Sequence, residues 1–311
     1  MKPCIAIVLL AAAPCLAQVK VTKGSGRLEV EVEGKPYGAL YVGPEVQKPY
    51  FYPLRAASGQ IVTRMYPMEN VPGESRDHRH HRGLWFTHGD VNGFDFWAET
   101  APASKQGRVR LNRIVGVGSG ETRGSLHVLF DWVDPEGRVL LTEDRTMTFQ
   151  TAPGLRTIDF DATLTAKVTV RFGDTKEGTF AIRLAEPLRG AKGGTGRMVN
   201  ASGAETEQNV WGKPSPWVDY AGELGGEKVG IAIFDHPANL RHPTFWHARG
   251  YGLFAANPFG ERDFLHDKNR DGGVTLEPGQ AQRFRYRVVI HPDGAGSAGI
   301  AEMYRKYAAG N

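Results

Sequence analysis

Residues 125–164 read SLHVLFDWVDPEGRVLLTEDRTMTFQTAPGLRTIDFDATL, and this stretch decides the fold. It contains three segments rich in apolar residues, and residues 134–137, DPEG, form a sequence typical of a type I turn between the first two. The pattern predicts strands at 125–133, 138–149 and 155–164, joined as an antiparallel meander.

Strand signals continue on both sides of this meander. In residues 27–33, Leu28, Val30 and Val32 alternate with glutamates, as in a half-buried strand. Further strands are predicted at 37–42, 50–54, 60–65, 108–117, 166–172, 180–184, 229–234 and 282–290. Helical spacing is found at residues 297–308. We therefore expect an all-β fold, one large antiparallel β-sandwich with a short C-terminal helix, with two smaller β domains as the alternative.

Composition places the chain among ordinary folded proteins and narrows its partners. Of its 311 residues, 41% are hydrophobic and 23% charged. The formal charge of +4 comes from well-mixed signs without a Lys/Arg block, so we expect no nucleic-acid partner. After the N-terminal segment no apolar run approaches the length of a transmembrane helix, so we expect no membrane span.

The first 17 residues have the pattern of a signal peptide. Lys2 is followed by the apolar residues 5–13 and by small residues at Cys15 and Ala17, so cleavage before Gln18 is expected. Lipid attachment at Cys15 is the alternative. The sequence thus predicts a periplasmic or secreted protein with a single domain over residues 18–311.

Both cysteines of the chain, Cys4 and Cys15, lie in this segment. The mature protein would therefore have no disulfide, no thiolate metal site and no cysteine nucleophile.

Residues 77–97, DHRHHRGLWFTHGDVNGFDFW, hold four of the ten histidines. Histidine titrates near neutral pH and serves as acid, base or metal ligand. If residues 78–81 are extended, His78 and His80 share a face and form a two-ligand metal arrangement, with His81 on the opposite face.

The same stretch contains groups that suit a sugar. Arg82 offers a planar fork of donors, and Trp85 and Trp97 offer flat apolar faces that complement the C–H face of a sugar ring. A histidine-rich surface loop is the alternative interpretation.

Residues 235–260 form a second cluster, in which three histidines occur within twelve residues, again with Trp, Arg and Asn. His236 and His242 each precede a proline and could be turn residues. The two histidine clusters could meet at one end of a sandwich, where loops collect.

Two shorter segments are further candidates. Residues 173–178, GDTKEG, present Asp174 and Glu177 as candidate bases or form a plain β-turn. Residues 211–220, WGKPSPWVDY, are predicted to be a proline-stiffened loop, either the wall of a sugar pocket or a packed loop. The sequence has no GxSxG elbow, no phosphate-binding Walker loop, no GxGxxG before a helix and no HExxH metal motif.

The long segments HRHHRGLWFTHGDVNGFDFW, GDTKEG, WGKPSPWVDY and HPTFWHARGYGLFAANPFG resemble those of the bacterial secreted "methane oxygenase PmoA"-like family. The resemblance runs over nearly the whole of residues 18–311 and implies a role in glycan metabolism. The membrane subunit of methane monooxygenase is excluded, because this chain has no membrane-spanning segment. The order of histidine-rich strand, β meander and late His/Asn cluster also resembles the galactose-mutarotase supersandwich.

These observations predict an exported carbohydrate-active protein, as an epimerase, lyase or hydrolase. The predicted catalytic residues are His81, His88, Glu177 and His247. The predicted substrate-binding residues are His80, Arg82, Trp85, Asn92, Trp97, Lys213, Trp217, His242 and Asn257. The alternatives are a sugar-binding module without catalysis and a copper or zinc protein. No cofactor is required by the first hypothesis; a divalent metal would be held by two or three of His78, His80, His88, His242 and His247.

Overall fold

The computed structural model of the chain describes residues 18–191, 193–292 and 298–310. The predicted signal peptide, with Cys4 and Cys15, lies outside the described residues. In chain order the strands are β1 Val19–Gly24, β2 Arg27–Val32, β3 Lys35–Tyr41, β4 Tyr50–Tyr52, β5 Leu84–His88, β6 Arg108–Gly118, β7 Arg123–Val133, β8 Val139–Ala152, β9 Leu155–Ala166, β10 Val170–Phe172, β11 Gly178–Arg183, β12 Arg197–Asn200, β13 Trp217–Leu224, β14 Glu227–Asp235, β15 Phe245–Ala248, β16 Leu253–Asn257, β17 Val274–Leu276 and β18 Ala281–His291. The helices are α1 Thr206–Val210, α2 Glu261–Phe264 and α3 Ala298–Ala308, and 3-10 turns lie at Ala103–Lys105 and Glu186–Leu188.

Two eight-stranded sheets form the body of the protein. The first has the order β1-β2-β3-β4-β5-β11-β16-β15 and the second β12-β13-β14-β18-β9-β8-β7-β6, while β10 and β17 form a separate ribbon. Neighbouring strands pair antiparallel throughout. The predicted all-β sandwich with a short C-terminal helix is therefore confirmed, and the predicted meander is the run β7-β8-β9.

The main core lies between the two sheets. Strand β9 alternates buried and half-buried residues along its whole length, as the sequence pattern predicts. Across the interface, the ring of Phe86 on β5 lies 5.0 Å from that of Phe160 and 5.4 Å from that of Phe284 in the second sheet. Each such fully buried phenylalanine contributes about 1.5–3 kcal/mol to the hydrophobic stabilisation that holds the sheets together.

The face of the first sheet that points away from this core carries a separate cluster. Along β5, Leu84 and Phe86 enter the main core, whereas Trp85 lies in the other cluster with residues of β4, β11 and β16. This division follows from the two-residue period of a strand. We call this surface the outer face of the first sheet.

The outer face of the second sheet is covered by the C-terminal helix. Ile300 and Tyr307 of α3 pack in one cluster with Trp217 and Phe234. The helix therefore closes the side of the sandwich opposite to the outer face of the first sheet.

Several sequence predictions differ from the structure. Residues 60–65 do not form a strand, because Ile61 and Thr63 make only isolated bridges, to Arg55 and Leu184. The predicted strand at 166–172 is interrupted, with β9 ending at Ala166 and β10 beginning at Val170. The short strands β1, β5, β12, β13, β15, β16 and β17 were not predicted, and most are too short or too uniformly buried to show alternation.

Gly83 gives a test of how the chain enters β5. Its φ is +53°, and a Cβ there would lie 2.2 Å from the carbonyl oxygen of Phe51. Gly137 also has a positive φ, +85°, but has open space around the same position. At both sites an alanine would be strained by the positive φ, so the difference between the two variants reports overpacking alone. Gly83→Ala should therefore lower the free energy of unfolding by about 2 kcal/mol more than Gly137→Ala. Urea denaturation measures the difference; equal losses would contradict this local geometry.

Candidate functional site

The histidine-rich segment folds as a turn. The backbone N–H of His81 donates to the carbonyl oxygen of His78 at 2.9 Å, and His78 has a φ of +41°. The rings of His78 and His81 stack, with centroids 4.8 Å apart and planes 10° apart. The extended arrangement, with His78 and His80 sharing one face, is therefore wrong. We call residues 78–81 the histidine turn.

Two buried arginines hold this turn through one carboxylate. Asp77 Oδ1 accepts from Arg64 Nη1 at 2.5 Å and from Arg183 Nη2 at 2.8 Å, and neither arginine side chain is exposed to solvent. Arg64 Nη2 also donates to the carbonyl oxygen of His78 at 2.9 Å. Charge-assisted hydrogen bonds of this kind are stronger than neutral ones, so they fix the turn against the end of β11.

Arg183 also decides which nitrogen of His81 carries the proton. Its Nη1 lies 3.2 Å from His81 Nδ1, and because a guanidinium can only donate, Nδ1 must accept. Burial, with the charges of His80 and Arg183 acting in the same direction, holds the pKa of His81 well below its usual value. The ring is therefore neutral, and its Nε2 is an N–H donor, buried without a partner among the described residues.

Two tryptophans continue the cluster beneath His81. The ring of Trp85 lies under that of His81 at 5.2 Å, and Trp97 lies 5.1 Å from Trp85. Both tryptophans are 1% exposed, so their flat faces are not open platforms for a sugar ring. They contribute their indole N–H groups, neither of which has a partner among the described residues.

Lys48, which no sequence pattern singles out, is buried at the same place. Its Nζ donates to the carbonyl oxygen of Trp97 at 2.5 Å and lies 3.5 Å from Glu99 Oε1. Burial lowers the pKa of Lys48 to about 8, although the charge of Glu99 opposes this shift. A single lysine in a loop before β4 gives no sequence signal that it reaches a site built from later residues.

Arg82 is engaged within the protein. Its Nε and Nη2 donate to the two carboxylate oxygens of Glu99 at 2.9 and 2.8 Å. The guanidinium group that the sequence predicts to bind a substrate is therefore hydrogen-bonded to Glu99. Arg82 thus positions that carboxylate beside Lys48.

One register row connects the histidine turn with His247. Trp85, Ala181, Ala255 and His247 are directly paired on the neighbouring strands β5, β11, β16 and β15. Adjacent strands are about 4.8 Å apart, so Trp85 and His247 are separated by about 14 Å with two alanines between them. Of the second predicted histidine cluster, His247 thus lies on the outer face of the first sheet, whereas His236 and His242 lie beside α3.

His247 is oriented by the loop that precedes β11. Its Nδ1 donates to the carbonyl oxygen of Lys176 at 2.9 Å, which leaves Nε2 of the neutral ring as an acceptor. Burial lowers the pKa of His247 to about 4, although the charge of Glu177 opposes this shift. His247 is therefore neutral at pH 7.

Glu177 lies on the loop before β11, and Asn257, the last residue of β16, is hydrogen-bonded to that loop. The charge of Glu177 acts on His247, on Tyr251 and on Asp95, which places this half-buried carboxylate beside the outer face. Asn257 Nδ2 donates to the carbonyl oxygen of Thr175 at 3.0 Å, and its Oδ1 accepts from the backbone N–H of Phe259 at 2.9 Å. The amide of Asn257 therefore holds the loop that carries Glu177, using one N–H of Nδ2 and its Oδ1.

Tyr251 and Arg249 bridge the two ends of the row. The guanidinium of Arg183 lies 4.7 Å from the ring of Tyr251, and that of Arg249 lies 5.7 Å from Tyr251 and 6.0 Å from Trp211. The edge of Trp211 in turn faces His247 at 6.3 Å. We call the whole set the outer-face site: Lys48, His80, His81, Trp85, Thr87, Trp97, Glu177, Arg183, Trp211, His247, Arg249 and Tyr251.

Unpaired polar atoms concentrate in this site. Seven buried side-chain atoms of the site have no partner among the described residues: His80 Nδ1, His81 Nε2, Trp85 Nε1, Thr87 Oγ1, Trp97 Nε1, Arg183 Nε and Trp211 Nε1. Arg249 Nε, by contrast, lies 2.9 Å from Glu207 Oε1. A buried polar group without a partner costs about 1–3 kcal/mol, so such groups are rare in native proteins. Their concentration on one face indicates a place that a polar molecule completes.

His88 lies on the opposite face of β5 from Trp85. Its ring packs against Phe172 at 5.8 Å and Phe259 at 4.6 Å, and its Nε2 lies 2.8 Å from the carbonyl oxygen of Gly173. Burial lowers the pKa of His88 to about 4. The predicted catalytic role is not supported by this position, because His88 is three positions along the strand from Trp85 and its side chain therefore points to the interior.

Asn92 and Lys213 also lie apart from the described contacts of the site. Asn92 is exposed and ties its turn to β10, accepting from the backbone N–H of Arg171 at 2.7 Å and donating to the carbonyl oxygen of Thr169 at 3.0 Å. Lys213 is exposed on the loop after Trp211.

Trp217 and His242 both lie near the C-terminal helix, Trp217 on β13 of the second sheet and His242 on the loop after β14. Trp217 begins β13 and packs beneath α3, so the predicted loop at 211–220 is in its second half a strand. His242 Nδ1 lies 2.7 Å from the buried Asp235, and its Nε2 lies 3.4 Å from the hydroxyl of Tyr304. Both residues stabilise the attachment of the C-terminal helix.

The proposed metal ligands are divided in the same way. Within residues 18–191, 193–292 and 298–310, no group of three or more His, Cys, Asp or Glu side chains is placed to hold a metal ion. Of the five candidates, His78 and His80 lie in the histidine turn, His247 at the far end of the row, His88 in the interior and His242 beside α3.

A family model matches residues 27–305 of the chain. The chain belongs to DUF6807, a family of unknown function. The comparisons do not support the PmoA-like family that the motifs resemble. No curated protein matches this DUF6807 chain in sequence.

Among solved structures, this DUF6807 member is similar to three carbohydrate-related proteins. A galactose mutarotase-like protein from Clostridium acetobutylicum aligns with a TM-score of 0.42 and 8% identity, over 88% of this chain and 98% of that one. The α-galactosidase of Lactobacillus brevis aligns with a TM-score of 0.40 and 9% identity over 89% of this chain. A heparan sulfate lyase mutant from Pedobacter heparinus aligns with a TM-score of 0.42 and 12% identity over 92% of this chain. The chain spans 40% of the galactosidase and 38% of the lyase.

Among the described residues, no helix is both long enough and apolar enough to cross a bilayer.

Two tryptophans give a test of the unpaired donors. Trp97 and Trp246 are both buried, but Trp246 Nε1 donates to the carbonyl oxygen of Ser215 at 2.9 Å, whereas the indole N–H of Trp97 has no partner among the described residues. Replacement by Phe removes similar volume at both sites, so Trp246→Phe should lower the free energy of unfolding by about 2 kcal/mol more than Trp97→Phe. Guanidinium denaturation measures both; an equal or larger loss for Trp97→Phe would show that its N–H is paired.

The buried histidines predict a pH dependence of stability. The pKa of His247 is about 4 in the folded protein and about 6.5 in an unfolded chain, so between these values the unfolded state binds the extra proton. Stability should therefore fall as pH decreases from about 6.5 to 4, by about 1.4 kcal/mol per pH unit for each such imidazole. In denaturation curves recorded across this pH range, His247→Gln should reduce the slope by about 1.4 kcal/mol per pH unit, the contribution of one imidazole. An unchanged slope would contradict the neutral, buried state of His247.

Proposed function

We propose that this DUF6807 member is an exported carbohydrate-active protein that binds a sugar or modified sugar at the outer-face site. The concentration of seven unpaired buried polar atoms around aromatic rings carries the proposal. A sugar offers both hydroxyl groups that accept and donate hydrogen bonds and a C–H face that contacts aromatic rings. Export is supported by the N-terminal pattern of the sequence, a basic residue followed by a short apolar run.

We infer further that the site acts as an enzyme through His247 and Glu177. His247 is neutral at pH 7 and has an acceptor nitrogen, Nε2, so it can take a proton from a bound sugar. At the other end of the row, about 14 Å away, His81 Nε2–H and the indole N–H groups would donate to remote oxygens of the sugar and orient it. Proton abstraction in an epimerase or lyase reaction would use His247 as the base; glycoside hydrolysis would use Glu177 as the acid or base.

A binding module without catalysis is the second candidate. It is favoured by the low pKa values of the site's histidines, about 3 for His80 and about 4 for His247, since weakly basic imidazoles serve better as fixed hydrogen-bonding groups than as proton acceptors. Neither candidate needs a cofactor. Stoichiometric copper, zinc or iron in the purified protein, measured by mass spectrometry, would instead favour the metal-protein alternative.

Binding should depend on the two ends of the row. We expect calorimetric titration with a panel of mono- and disaccharides, keto-sugars included, to identify a ligand whose affinity falls at least about tenfold in His81→Gln and His247→Gln, because each variant replaces an oriented ring nitrogen. His127→Gln is the matched control, since His127 lies on β7 of the second sheet and pairs with Asp144. Both site variants should retain a cooperative thermal transition.

The outcomes separate the candidates. Turnover of the bound sugar that His247→Gln abolishes would establish the enzyme, and binding without turnover would establish the module. A ligand that binds all three variants with wild-type affinity would show that the sugar site lies elsewhere.

A further inference from the structure

The deep end of the outer-face site, near Trp85 and Trp97, presents mainly hydrogen-bond donors. His81 Nε2–H, Trp85 Nε1–H, Trp97 Nε1–H and Arg183 Nε–H can only donate, and all four are buried without a partner among the described residues. His81 and Trp97 lie 6.0 Å apart by ring centroids, and Trp85 lies between 5 and 6 Å from both. His80 Nδ1 and Thr87 Oγ1, the other unpaired atoms nearby, can act in either sense.

The same end has more cations than anions in direct contact. Asp77 is shared by Arg64 and Arg183, with shortest distances of 2.5 and 2.8 Å, so one carboxylate faces two guanidinium groups. Glu99 is shared by Arg82 at 2.8 Å and Lys48 at 3.5 Å. The carboxylate of Asp95, which also acts on Lys48, already accepts from the backbone N–H groups of Trp97 and Ala98. Four cationic side chains at this end therefore share three carboxylates, those of Asp77, Glu99 and Asp95.

These two features select for a group that only accepts. A neutral sugar hydroxyl brings a hydrogen of its own, which would need an acceptor, and the deep end offers few. An ionised carboxylate has two oxygens that accept hydrogen bonds from several donors. It also carries a negative charge, which can pair with the cation in excess. The opposite end of the row, with Glu177 and His247 Nε2, supplies acceptors for hydroxyl groups.

We propose that the ligand of the outer-face site is an acidic sugar, of the uronic or aldonic acid class, whose carboxylate is held between Lys48, His81 and Trp97. This inference rests on the proposed sugar-binding function and adds the chemical class of the ligand. The hydroxyl groups of this sugar lie over Ala181 and Ala255, toward His247.

The test is calorimetric titration of the purified protein with three monosaccharides that differ at one carbon. D-glucuronate carries a carboxylate there, D-glucose a hydroxymethyl group and D-glucose 6-phosphate a phosphate. We expect glucuronate to bind at least about tenfold more tightly than glucose at constant ionic strength, the range of one charge-assisted pair. The preference should decrease as salt is added.

Two variants connect the preference to these residues. Lys48→Met and Trp97→Phe should each reduce the ratio of glucuronate to glucose affinity about tenfold, the first by removing the charge and the second by removing one donor. Trp97→Phe keeps an aromatic ring in place, so it tests the same preference if Lys48→Met does not fold. His127→Gln, on the other sheet, is the control in which the ratio should not change.

Each other outcome overturns the inference in a recognisable way. Equal affinities for glucose and glucuronate would exclude a carboxylate subsite while leaving sugar binding intact. Preference for glucose 6-phosphate would assign the donors to a phosphate. If none of the three binds, the sugar-binding proposal fails together with this one.

Discussion

One carboxylate between two buried guanidinium groups supports the whole site. Asp77 neutralises part of the charge of Arg64 and Arg183, and without it two cations would be buried side by side, which is strongly destabilising. The pair in turn fixes the histidine turn, and Arg183 fixes the tautomer of His81. The direction in which His81 presents its N–H group therefore follows from an ion pair formed by residues that are distant in sequence.

The second constraint is the alternation of side chains along the strands of the first sheet. Because β5, β11, β16 and β15 are in register, their inward residues build the core between the sheets and their outward residues build one row, Trp85, Ala181, Ala255 and His247. Two small residues at the centre keep the polar groups at the two ends apart. The donor-rich end and the end with Glu177 and His247 thus have different chemistry on one rigid surface, which is the arrangement that a ligand with two unlike ends requires.

Local sequence patterns were sufficient for the fold and insufficient for the site. The alternation in β2, β7 and β9 is visible in the sequence because one face of each strand is half-exposed. The density of histidine and tryptophan correctly directs attention to residues 78–97, but not to the side of the strand on which each residue lies. Had β5 been recognised, the period of two would have separated Trp85 from His88. Lys48, Arg183 and Tyr251 reach the site only through tertiary contacts, and no sequence pattern connects them to the histidines.

Sugar binding at the outer-face site is tested most directly with the six tryptophans as reporters. Two-dimensional ¹H–¹⁵N spectra resolve each indole N–H during titration with a sugar, with single Trp→Phe variants for assignment. The signals of Trp85, Trp97 and Trp211, whose N–H groups are unpaired among the described residues, should shift on saturation, while those of Trp132, Trp217 and Trp246 should stay in place. Saturable shifts confined to Trp132, Trp217 or Trp246 would contradict binding at the outer-face site, because the ligand would then lie in the other sheet or the core.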